Sequence, residues 1–158
     1  MKTNVEWVRI ERELSAPIKE VWAMWTVAER FAQWYGPNGM TVSVIEMDLV
    51  KGGKRMISME MQSPERSMKM WFSGEHTDVT EPTRLSYTES MCDEQGKLIP
   101  PEQMGMPPGH PDVTEVVVQL EQVGTGTMMK LTHIGVPADS GGAGGWAQAI
   151  EKLAKQLR

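Results

Sequence analysis

The 158-residue sequence contains a single cysteine, Cys92. A lone thiol cannot staple a secreted fold, so a reducing compartment and a disulfide-free core are expected. Histidine is scarce, with three residues at 76, 110 and 133. They form no helical or hairpin pair and no Cys cluster joins them, so no metal site and no cofactor is expected. Basic runs are absent. Lys and Arg number 16 against 21 Asp and Glu, and the net charge is −5. The electrostatic footprint of a nucleic-acid binder or of a protein held on an anionic membrane is therefore missing. No apolar stretch approaches membrane-spanning length, and residues 1–7 turn at once to an alternating, charged pattern without an apolar leader. These absences together predict a cytoplasmic chain.

Nucleophilic machinery is lacking too. Cys92 has no neighbouring base, and Ser58 and Ser73 stand without triad spacing. The acidic residues are scattered as on a solvated surface. Gly52-Gly53 lacks the spacing and the following helix of a phosphate-cradling loop. No catalytic residue is assigned.

What the sequence does have is 14 Met and 6 Trp, against 2 Phe and 2 Tyr, with 40% hydrophobic and 23% charged residues. This composition is globular, and the length suits one domain spanning 1–158. Methionine is flexible and polarizable, suited to irregular packing or to an adaptable lining for a variable apolar ligand.

Residues 5–14 alternate, with Val8, Ile10 and Leu14 on one face, and predict a half-buried strand. Ser15 and Pro17 read as a helix start, and Ile18, Val21, Trp22 and Trp25 repeat at helical spacing. A second short helix is expected over 28–34, ended by Tyr35-Gly36-Pro37. Strand patterns follow. Met59 and Met61 share a face with Ile57. Met70, Phe72 and His76 share another, and Tyr87 lies in the next run. Gly52-Gly53 and Ser63–Arg66 read as turns. Residues 92–112 carry five prolines and no period, which predicts a lid, a binding loop or disorder, with His110 solvated there. Val118 then sits on the inward face of a strand over 113–123. A hairpin at 124–126 leads into Met129, Leu131 and His133 on one face. Trp146, Ile150, Leu153 and Leu157 mark a terminal helix whose glycine-rich start leaves Asp139 or Ser140 as candidate caps.

One strand, two short helices, five or six further strands and a long helix predict an α+β fold. In it a curved antiparallel sheet of six or seven strands wraps the terminal helix. A strongly bent sheet does not pack flush along a whole helix, so an apolar hollow is expected.

The motifs Ser15-Ala-Pro17, Val21-Trp22, Trp25-Thr26, Phe31 and Trp34-Tyr35-Gly36-Pro37 resemble the opening of the START-like, or SRPBCC, superfamily. Gly52-Gly53, Phe72-Ser-Gly74, Pro82-Thr-Arg84-Leu85, Gly105-Met-Pro107, Gly126-Thr127 and Gly145-Trp146 extend the resemblance over nearly the whole chain. The similarity is to its bacterial branch related to the C-terminal domain of the activator of the heat-shock-protein-90 ATPase. The resemblance implies a helix-grip fold (the birch-pollen-allergen type) with an internal cavity. Similar domains bind lipids, hormones or polyketides, act as cyclases, or assist a chaperone.

Three functions follow as expectations. The leading one is a binding protein for a hydrophobic small molecule, lipid- or polyketide-like, lined by Met59, Met61, Met70, Phe72, His76, Tyr87, Val118, Met129, Leu131, His133, Trp146 and Ile150. The alternatives are a cyclase- or hydrolase-type enzyme using His133 or His76 as base, and a chaperone-associated interaction module. A homodimer paired along an exposed sheet edge is also compatible with the pattern.

Overall fold

The computed structural model describes residues 6–63, 65–106 and 108–157. Strand β1 (Trp7–Leu14) is followed by α1 (Ile18–Thr26) and α2 (Ala28–Phe31). Strands β2 (Met40–Met47), β3 (Lys54–Ser63), β4 (Arg66–Thr80) and β5 (Arg84–Cys92) come next. A short 3-10 turn (Pro101–Met104) precedes β6 (Thr114–Val123), β7 (Gly126–Pro137) and the terminal helix α3 (Gly141–Gln156). Among the described residues seven strands form one curved antiparallel sheet in the order β1-β7-β6-β5-β4-β3-β2. The upper end of the expected strand number is reached, and β1 and β2 are its edges.

Alternation decides which face each strand buries. Val116, Val118 and Leu120 on β6 and Met129 and Leu131 on β7 are buried, while Gln119 and Lys130 between them are exposed. Helix α3 lies against β7 and β1 through Trp146, Ala149, Ile150 and Leu153, its one apolar stripe. Leu153 is fully buried, and truncation of such a leucine costs about 2–5 kcal/mol. The scarce aromatics concentrate where α1, α2 and α3 meet. Trp25 and Trp34 pack edge to face at 4.6 Å, Phe31 stacks on Tyr35 at 4.2 Å, and Tyr35 meets Trp146 at 5.4 Å. The Trp34 Nε1–H donates to the Met24 carbonyl at 2.8 Å. This plug closes one end of the sheet.

The helix ends differ from the sequence expectation. Ser15 caps nothing. Pro17, extended at φ −61° and ψ 155°, occupies the N-cap position of α1 without a side-chain hydrogen bond. Helix α2 is a single turn ending at Phe31, and residues 32–34 continue as a turn. Ser140 stands at the N-cap of α3, but its hydroxyl donates to the Pro137 carbonyl instead of capping. All four glycines then lie inside the helix. A Cβ at Gly142 would come within 2.5 Å of Val136 Cγ1, and one at Gly145 within 3.3 Å of Pro37. Close approach accounts for Gly142 and bears on Gly145, while Gly141 and Gly144 face open space. The expected turn at Ser63–Arg66 includes Pro64, and the expected loop includes Pro107; both lie outside the described residues.

Candidate functional site

The site arises where two strands part. The β5–β6 ladder runs from Arg84 opposite Gln119 to Glu89 opposite Thr114. Beyond Glu89, β5 continues to Cys92 against β4 on one side, while on the other it meets only the returning chain, through a Cys92–Leu98 bridge and the Ile99 N–H donating to the Met91 carbonyl at 2.9 Å. Met91, the next inward residue, therefore has no β6 neighbour. The chain between Asp93 and Val113 crosses this gap, and its prolines lack the N–H needed to join a ladder. Pro101, Met106, Pro108 and His110 instead form one wall of a cavity of about 700 Å³, with Phe72 and Met91 on the sheet side and Gly141-Gly142 on the helix side. A second cavity of about 180 Å³ adjoins it between Tyr35, Pro37, Met59, Trp146 and Ala149. Glu89, His133 and Val136 belong to the walls of both.

Two hydrogen-bonded chains converge on Glu89. In the first, the Tyr35 hydroxyl donates to Glu89 Oε2 at 3.2 Å. Its single proton is thereby committed, so in the 2.7 Å contact between the two phenols Tyr87 is the donor. Arg55 Nη1 donates to the same Oε2 at 3.2 Å, and its guanidinium lies 3.9 Å from the centre of the Tyr87 ring. The Arg55 side chain is 1% exposed and that of Glu89 10%. Burial, then the Glu89 charge, holds the Tyr35 phenol well above the usual tyrosine range. Burial likewise raises Tyr87, against an opposing pull from Arg55. Both phenols stay protonated donors.

Register places this pair. Arg55 is opposite Gly74 on β4, and Glu89 lies on the strand beyond it. The bare glycine leaves the lane open, so a long guanidinium can reach across two inter-strand spacings. Gly74 is itself dictated: a Cβ there would come within 2.0 Å of the Thr88 carbonyl oxygen.

In the second chain Trp146 Nε1–H donates to His133 Nδ1 at 2.9 Å. His133 therefore carries its proton on Nε2 and donates to Thr114 Oγ1 at 2.8 Å, which donates in turn to the Glu89 backbone carbonyl at 3.2 Å. Both ring nitrogens are engaged. Burial lowers the His133 pKa, with a partial opposing pull from Glu89. His76 is elsewhere: it is buried, its Nδ1 is 3.2 Å from the Gly53 carbonyl, and burial lowers its pKa as well.

Of the residues expected from the sequence to line a hollow, four do stand in these walls: Phe72, Met59, His133 and Trp146. Tyr87 stands behind Tyr35 as its donor. Val118, Met129, Leu131 and Ile150 are packed in the core between sheet and helix. Met61 and Met70 pair with Met68 and Met59 on the β3–β4 arm and are only half-buried. His76 packs beside Tyr87. His110, expected to be solvated, is half-buried in the wall of the larger cavity, its Nδ1 3.0 Å from the Pro111 carbonyl. The Cys92 thiol is buried and its pKa raised by burial, which makes it a poor nucleophile.

Glu89, Arg55, Tyr35, Thr114 and Met91 were not among the site residues expected from the sequence, and Tyr35 figured there only in the helix-ending motif. A signal existed. Glu89 is in register with Leu85, Tyr87 and Met91, and Arg55 with Ile57 and Met59, so each charge interrupts an apolar face. Among the described residues no group of three or more His, Cys, Asp or Glu is placed to hold a metal, and no helix is long and apolar enough to cross a membrane.

A seven-stranded antiparallel sheet gripping a C-terminal helix, with two short helices after the first strand, is the helix-grip fold of the START-like superfamily. Residues 15–158 match the family described as activator of Hsp90 ATPase homolog 1-like protein, and the chain belongs to that family. No curated protein matches the sequence significantly. Among solved structures, protein CV1439 from Chromobacterium violaceum is similar, with 22% identity over 95% of each chain and a TM-score of 0.76. A protein from Arthrobacter aurescens shares 24% identity over 99% of this chain and 89% of its own, with a TM-score of 0.76. The AHSA1 protein from Silicibacter pomeroyi shares 22% identity over 94% of this chain and 95% of its own, at 0.70. At such identities these likenesses establish the fold.

Proposed function

We propose that this protein binds a small hydrophobic molecule in the larger cavity, beneath the proline-rich segment. The observation that carries this reading is the cavity of about 700 Å³ between sheet, segment and helix start, in the range of small-molecule sites, with a largely apolar surface to which Met91, Met106, Phe72, Val136 and four prolines contribute. Its methionines adapt to more than one ligand shape. Binding is favoured over base catalysis by a histidine, because both nitrogens of His133 are already engaged and His76 lies outside both cavities.

The test is saturable binding. A fluorescent anilinonaphthalene dye is expected to titrate to one site, to be displaced by apolar compounds of matching volume, and to lose affinity when Met91→Trp fills the space. Native mass spectrometry of protein purified from its host is expected to retain an added mass in part of the population. Dye binding that never saturates, or that Met91→Trp leaves unchanged, refutes the reading.

A further inference from the structure

The walls of the larger cavity are apolar but for a few groups, and most of those are already committed. Both nitrogens of His133 are hydrogen-bonded, and the Thr114 hydroxyl accepts from His133 and donates to a carbonyl. Glu89 is different. Its side chain is nine-tenths buried and belongs to both cavity walls, and both of its hydrogen bonds fall on Oε2. Oε1 accepts none among the described residues. Oε1 is not sealed in the core but reachable from the cavity, so an apolar ligand that covers it takes away its water, a costly step unless the ligand supplies a donor.

From this we infer that Glu89 is the polar anchor of the site, and that the ligand is a neutral apolar molecule bearing one hydrogen-bond donor, a hydroxyl or an amide N–H, directed at Oε1. This rests on the binding function proposed above. Neutrality at the anchor follows from the pair itself: Arg55 balances the Glu89 charge within hydrogen-bond distance, and the other carboxylate of the wall, Asp112, is exposed and screened by solvent. Acceptor-only ligands are disfavoured, since two facing acceptors repel and both stay unsatisfied. The anchor is rigid. Arg55 and Tyr35 hold the carboxylate, and the chain from Trp146 through His133 and Thr114 holds the backbone of the same residue.

Decanol and its isomer methoxynonane have the same atoms and nearly the same length, and differ in possessing or lacking a donor. Their dissociation constants are measured by dye displacement, with the site read from ¹³C-methyl methionine spectra in which Met91 and Met106 report the cavity. Decanol is expected to bind roughly ten-fold tighter, as a hydrogen bond to a charged group implies. In Glu89→Gln, verified as folded by its methyl dispersion, that preference is expected to shrink several-fold while methoxynonane affinity holds. Equal affinities, or a tighter ether, overturn the anchor and leave the cavity reading intact. Failure of both probes to shift Met91 and Met106 overturns the cavity reading and the anchor with it. If Glu89→Gln does not fold, the comparison of the two isomers on the unaltered protein still decides.

Discussion

Removing the Glu89 carboxylate is expected to be far more damaging than its partly accessible position suggests. Arg55 is 1% exposed, and its Nη2 has no hydrogen-bond partner among the described residues. The guanidinium therefore depends on its contact with Glu89 and on the face of Tyr87. At 3.2 Å the gross attraction of the two charges is about 5 kcal/mol for an effective dielectric constant of 20. Glu89→Ala removes it and strands a buried cation, for an expected loss of about 3–5 kcal/mol. Arg55→Met is expected to cost less, about 1–3 kcal/mol, because the carboxylate left behind borders a cavity and keeps the Tyr35 donor. The double variant Arg55→Met with Glu89→Ala is then expected to be more stable than Glu89→Ala alone, since no charge is left unpaired. Urea unfolding followed by tryptophan fluorescence measures all three, provided the m values agree. Single costs below about 1 kcal/mol that add within about 0.5 kcal/mol would refute the reasoning, because independent sites add and a desolvated pair does not.

Two further outcomes follow from the same geometry. Gly74→Ala places a methyl group 2.0 Å from the Thr88 carbonyl oxygen, a backbone atom that cannot rotate away. It is expected to cost about 2–3 kcal/mol by urea unfolding and to shift the Glu89 amide resonance, and a cost below about 0.5 kcal/mol would contradict the crowding. His133 and His76 both have pKa values lowered by burial, so the unfolded chain binds their protons first as pH falls. Their contribution to stability is therefore present above about pH 6.5 and is lost as pH drops from there toward the lowered native values, with a slope of up to about 1.4 kcal/mol per pH unit for each histidine. Stability measured from pH 8 to pH 5 is expected to fall in that window, and a flat profile in His133→Gln with His76→Gln identifies the source.

The helix-grip architecture was legible in the sequence because its elements are written as periods. The step-two pattern of Val116, Val118 and Leu120, and the three- and four-residue steps from Trp146 to Leu153, each bury one face whatever surrounds them. The same patterns could not separate filled core from hollow. Met129, Leu131 and Ile150 share a face with His133 and Trp146, yet the first three are packed and the last two stand at a cavity. That difference depends on where β6 leaves β5, which is a matter of long-range pairing. The proline-rich segment announced itself by composition, but its role as a wall follows only from the gap it crosses.

Local rules for the chain ends held less well. Ser15 and Ser140 have the residue type of a cap, and neither hydroxyl caps: Pro17 holds the N-cap position of α1, and the Ser140 hydroxyl is taken by the Pro137 carbonyl three residues back. The sequence by itself determined which faces are apolar and in what order strands and helices follow, since both are set by residues a few positions apart. Tertiary structure alone decided that Arg55, Gly74 and Glu89, on three successive strands, form one lane ending at a cavity. The register that aligns them is fixed by the whole sheet, and no local pattern records it.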